Sequence, residues 1–125
     1  MSSRVLLVDD SVSVGRQLER ILADHPAYEV VGHAQNGAEA VKLFASKKPE
    51  LIVLDIVMPV MDGLQALRAI LSMDENARVV MVSSVGGVGE KAAEALRLGA
   101  RAVISKPFEP KEVISTFDRV LAEEG

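Results

Sequence analysis

Three short apolar segments each run into a charged residue, and this pattern most constrains the fold. Arg4-Val5-Leu6-Leu7-Val8 leads into Asp9-Asp10, Leu51-Ile52-Val53-Leu54 into Asp55, and Ala102-Val103-Ile104-Ser105 into Lys106-Pro107. Runs of this length, rich in β-branched residues, read as strands buried on both faces, as in a parallel sheet. Ligands of open parallel sheets bind just beyond the carboxyl ends of the strands. Three carboxylates and one lysine are therefore expected to converge on one small site, although they lie far apart in the chain.

Helical patterns separate the strands. Residues 12–25 place Val14, Leu18, Ile21 and Leu22 on one stripe, with Pro26 as a stop. Tyr28–Ala34 reads as a second strand whose polar content suggests an edge position. Asn36 and Glu39 form a near capping box, and the helix that follows buries Ala40, Val41 and Phe44. Asp62-Gly63 is a turn signal before a helix carrying Leu64, Leu67, Ile70 and Leu71. Residues 79–82 form a fourth strand that ends at Ser83-Ser84. A glycine-rich loop leads to a helix over Glu90–Leu98, stopped at Gly99. Pro110 opens a last helix with Val113, Ile114, Phe117, Val120 and Leu121 on its apolar face. Strand ends at Asp10, Ala34, Asp55, Ser83 and Lys106 have the spacing of compact βα units. The expected architecture is α/β, (βα)5: a five-stranded parallel sheet with helices on both faces, one domain over residues 1–125.

Composition excludes several function classes. There is no cysteine, so disulfides, thiol catalysis and thiolate metal sites are ruled out. The net charge of −4 argues against nucleic acid as a partner. No apolar run is long enough to insert into a membrane, and no signal-peptide pattern is seen, so a cytoplasmic location is expected. With three Phe and one Tyr, the core must be aliphatic.

The Val-Asp-Asp-Ser run at residues 8–11, the Leu-Asp-x-x-Met-Pro-x-Met-Asp-Gly run at 54–63 and the Ser-Lys-Pro-Phe run at 105–108 are jointly specific. With Ser83, they resemble the receiver domain of two-component response regulators over the whole chain. The resemblance implies the doubly wound, flavodoxin-like strand order 2-1-3-4-5 and a role as a phosphorylation-operated switch. By that likeness Asp55 accepts a phosphoryl group from a histidine kinase. Mg²⁺, with Mn²⁺ as a substitute, would be held by Asp10, Asp55 and the backbone carbonyl of Val57, and by Asp9 through a water. Lys106 and Ser83 would contact phosphoryl oxygens, Ser84 would leave the phosphorus open, and a cis Lys106-Pro107 bond would fix the lysine. Such a protein is a phosphoacceptor that catalyses its own phosphorylation and dephosphorylation, rather than an enzyme acting on other substrates. Its partners would be the kinase, a downstream protein on the face of the fourth helix, fifth strand and last helix, and a separate phosphatase. A stand-alone, chemotaxis-regulator-like receiver is expected. The alternatives are a phosphorylation-independent interaction module and a fragment of a larger regulator such as a chemotaxis methylesterase. A phosphohydrolase would need a general acid or base near Asp55, and Val57 cannot serve.

Other features carry less. His25 and His33 flank the second strand and read as solvated. Gly86-Gly87-Val88-Gly89-Glu90-Lys91 fails as a phosphate loop, because Glu90 separates Gly89 from Lys91 and Ala92 follows where Ser or Thr is needed. Met58-Pro59-Val60-Met61 is expected to expose two methionines in a loop. Val103 stands where many receivers carry a switching aromatic. Val57 and Val85, two residues after Asp55 and Ser83, offer no polar group to a water.

Overall fold

The computed structural model describes residues 2–58, 61–83 and 89–123. Strands and helices alternate as β1 (Ser3–Val8), α1 (Val12–Ala23), β2 (Tyr28–Ala34), α2 (Gly37–Lys47), β3 (Leu51–Asp55), α3 (Gly63–Met73), β4 (Val79–Ser83), α4 (Glu90–Leu98), β5 (Ala102–Ser105) and α5 (Pro110–Ala122). The strands form one parallel sheet in the order β2-β1-β3-β4-β5. The polar β2 does lie at an edge.

Strand alternation divides the core in two. Leu6, Val8, Ile52, Leu54, Val79 and Met81 face α2, α3 and α4. Val5, Leu7, Val53, Val80, Val82 and Ile104 face α1 and α5. The central strands thus contribute to both layers, which explains their unbroken apolar runs. Aliphatic side chains dominate, and Phe117 of α5 meets Tyr28 edge-on with ring centroids 5.9 Å apart. Among the described residues, no helix is long and apolar enough to cross a membrane.

Helix boundaries follow local chemistry. Asp62 and Gln65 complete a capping box: each side chain accepts a hydrogen bond from the other's backbone N–H, at 2.9 and 3.1 Å. The Asp-Gly pair is therefore a helix start as much as a turn. Asn36 accepts from the Glu39 N–H at 2.8 Å. Gly99 ends α4 at φ 125°, a conformation that favours glycine. Helix α1 stops at Ala23, short of His25, where the His25 N–H turns back to the Leu22 carbonyl at 2.9 Å.

Gly15 sits inside α1 without the strained backbone that would require it. A Cβ added there would lie 3.4 Å from the His33 ring, an ordinary contact. Glycine costs a helix interior about 0.5–1 kcal/mol relative to alanine. Gly15→Ala is expected to raise stability by about that amount, read as a higher urea midpoint. A lower midpoint would show that the His33 ring needs the space.

Candidate functional site

Each charged residue singled out in the sequence is placed by a strand. Asp9 follows β1, and its N–H donates to the Ala34 carbonyl of β2 at 3.0 Å. Asp55 is the last residue of β3 and is 4% exposed. Lys106 follows β5, and its N–H donates to the Ser83 carbonyl at the end of β4, at 2.9 Å. The Lys106-Pro107 peptide is cis, as expected. The sheet thereby gathers side chains separated by about half the chain.

Their contacts define a charged cluster. The Lys106 ammonium lies 3.2 Å from Asp55 Oδ2 and 3.6 Å from Asp9 Oδ2. Asp55 Oδ1 accepts from the Val57 N–H at 3.2 Å, and Asp9 Oδ1 accepts from the Ser11 N–H at 2.8 Å. Asp10 is exposed, yet one carboxylate oxygen from each of Asp9, Asp10 and Asp55 lies within 4.8 Å of the others. Ser83 and Asp55 share the wall of a cavity of about 340 Å³. Val57 borders it too and is 62% exposed.

The electrostatics are unbalanced. Burial pushes the Asp9 carboxyl up to about 6; the Ser11 N–H opposes this, while the neighbouring Asp55 carboxylate adds to it. Burial works against the Lys106 charge, but the Asp55 and Asp9 carboxylates outweigh it and hold the lysine above its ordinary value. Asp9 Oδ2 is buried without a hydrogen-bond partner. Three clustered carboxylates, one of which carries a buried oxygen without a hydrogen bond, fit a hard divalent cation such as Mg²⁺.

Two glycines hold the loop after Asp55. A Cβ on Gly63 would fall 2.2 Å from the Asp55 carbonyl oxygen and 2.6 Å from Ile56 Cα. A Cβ on Gly37 would fall 2.5 Å from the Met61 carbonyl oxygen. Both contacts are missed by reading the sequence alone. The Asp-Gly dipeptide signals a turn but not a backbone packed against it. Nothing in the sequence pattern signals Ser11 as the donor to Asp9.

One expectation needs correction. Met58 is 7% exposed and packs into the core, and Met61 is partly buried beside it, so these methionines are not exposed. Gly37 lets the start of α2 approach Met61, and Gly63 lets the start of α3 approach the Asp55 and Ile56 backbone. His33 is exposed, as expected. Its Nε2 lies 2.5 Å from Glu19 Oε1 of α1, a partner the sequence spacing did not suggest. Val103 is partly buried on the face of α3 and α4. The readings of Ser84 and Val85, and of the glycine-rich loop up to Val88, lie outside the described residues, as do Pro59 and Val60.

The class defined by this sheet and cluster is a doubly wound α/β domain with an acidic, lysine-bearing site at its strand ends. Residues 5–118 match the response regulator receiver domain, and the chain belongs to that family. A chemotaxis protein CheY of Thermotoga maritima is 38% identical over 120 residues, covering 96% of this chain and 98% of that protein. The response regulator domain of Thermotoga maritima CheB is 34% identical with a TM-score of 0.92, and 100% of both chains is covered. A chain of the CheX-CheY-BeF3-Mg²⁺ complex from Borrelia burgdorferi is 33% identical with a TM-score of 0.90, covering 97% of this chain and 90% of that one. The chain is a phosphorylation-operated two-component switch module. Receiver domains are phosphoacceptors rather than enzymes in the ordinary sense; they bind Mg²⁺ at an acidic cluster and interact with histidine kinases and downstream targets.

Proposed function

We propose that Asp55 is the phosphoryl acceptor of this switch. The observation that carries the proposal is its buried carboxylate at the end of β3, with the Lys106 ammonium at 3.2 Å and two more carboxylates in reach. A carboxylate oxygen attacks phosphorus, an O–P bond forms, and the bond to the donor's leaving atom breaks, taking its electron pair. Phosphoryl transfer depends mainly on positioning and charge neutralisation. Lys106 neutralises charge and binds one phosphoryl oxygen, while the Ser83 hydroxyl donates to another. Asp10, Asp55 and the Val57 carbonyl would hold Mg²⁺ or Mn²⁺, with Asp9 acting through a water. The cation supplies the positive charge that lets an anion approach three carboxylates.

The donor is a histidine kinase, and the domain, residues 1–125, catalyses both uptake and loss of its own phosphate. The output surface comprises α4, β5 and α5. Val103 has few rotamers to exchange, so the change there is carried by α4. With valine at position 57, loss of phosphate is slow, and a separate phosphatase supplies the missing polar group. We place this activity in the cytoplasm. The full-length likeness to a CheB receiver also supports a chain that works as the regulatory part of a larger protein.

Intact-mass measurement after treatment with acetyl phosphate tests the reading. One phosphate should be gained with Mg²⁺ or Mn²⁺, none with chelator, and none in Asp55→Asn. Uptake that ignores the metal, or that persists undiminished in Asp55→Asn, overturns the assignment.

A further inference from the structure

The cavity beside Asp55 has a second wall that the proposed chemistry does not use. Glu90 and Lys91, in the first turn of α4, line the same space of about 340 Å³ as Asp55, Ser83 and Val57. Lys106 reaches Asp55 from another side and is already engaged by two carboxylates. Among the described residues, neither Glu90 nor Lys91 has an ion-pair partner, and both are exposed. One turn further on, Glu94 is tied to Arg68 of α3 at 2.8 Å. The helix is thus held to its neighbour while its first two side chains remain available at the cavity.

An anionic phosphodonor entering this space meets a charge problem. Asp9, Asp10 and Asp55 repel it, and Lys106 and one divalent cation only balance those three charges. Among the described residues lining the cavity, only Lys91 offers the donor's own charge a counterpart, and Glu90 opposes it. Fields in a cleft raise or lower the local concentration of a charged substrate.

We infer that Lys91 is a donor-binding residue: it draws the anionic phosphodonor into the cavity beside Asp55, and Glu90 sets a limit on that attraction. The inference rests on Asp55 being the acceptor. Lys91 takes no part in bond making, so it should govern the donor concentration needed rather than the limiting rate.

The test is the rate of phosphate uptake against acetyl phosphate concentration, with Mg²⁺, in low salt and in about 1 M salt, where the screening length falls to about 3 Å. In low salt, Lys91→Ala should raise the half-saturating concentration about two- to fivefold, the size expected of one charge a few ångströms away in a solvated cleft. Glu90→Gln should lower it, and Lys91→Arg should resemble the wild type. Limiting rates should stay within about twofold, and the differences should shrink in high salt. A purely structural role for this turn would not produce shifts of opposite sign that salt removes. An unchanged value in Lys91→Ala, a shift in the same direction in Glu90→Gln, failure of arginine to restore binding, or a shift that survives high salt would overturn the inference. If the wild type takes up no phosphate, the acceptor assignment falls too; normal uptake indifferent to Lys91 removes only this inference.

Discussion

Gly63→Ala is expected to destabilise the domain by about 3 kcal/mol and to slow phosphate uptake by about a hundredfold. The added Cβ would sit 2.2 Å from the Asp55 carbonyl oxygen, 2.6 Å from Ile56 Cα and 2.8 Å from the Ile56 carbonyl oxygen. All three atoms are backbone, so no rotamer change relieves the overlap. The Gly63 N–H also donates to the Ile56 carbonyl at 2.8 Å, which ties the start of α3 to the end of β3. Relief must therefore come by separating the two, and Asp55 moves with its backbone. A displacement of about 1 Å at a reacting group can cost about a hundredfold in rate. Gly15→Ala is the matched control, because its Cβ finds room. Urea midpoints and uptake rates of both variants decide the matter. A Gly63→Ala protein with wild-type midpoint and rate would show that the β3–α3 connection yields freely.

This contact also marks where the sequence stops being legible. Val5 to Val8 and Leu51 to Leu54 announce buried parallel strands because both faces of each strand are covered, which forces a continuous apolar run. Asp9, Asp55 and Lys106 announce a common site because parallel strands all end on the same side. Those inferences need only the periodicity of the backbone. Gly63 against Ile56, Gly37 against Met61 and His33 against Glu19 depend on how loops fold back and on which helix covers which strand. Nothing local records that. Met58 illustrates the same limit: a methionine in a loop can point either way, and here it packs into the core. The Asp62–Gln65 capping box was legible in principle, since an acceptor three residues before Gln is a helix-start signal.

Asp9→Asn is expected to stabilise the metal-free protein at pH 8 by about 1–3 kcal/mol. Asp9 is 9% exposed, and its Oδ2 has no hydrogen-bond partner. Burial first, with Asp55 adding to it, lifts its carboxyl from 3.8 to about 6. The folded protein thus holds this proton more tightly than the unfolded chain does. Below about pH 4 both states are protonated and the group is neutral in the balance. As pH rises from about 4 through about 6, the unfolded chain releases its proton first, so stability falls. Above about 6 the full cost is present, at most about 3 kcal/mol for a shift of about two units. Asparagine keeps an oxygen for the Ser11 N–H and carries no charge to bury, so its advantage should appear at pH 8 and fade toward pH 4. Mg²⁺ should narrow the gap at pH 8, because a cation that binds the folded state stabilises it by mass action. Urea midpoints in chelator and in Mg²⁺, at both pH values, measure these effects. A variant less stable than the wild type at pH 8 in chelator would mean that Lys106, at 3.6 Å, already compensates the buried charge.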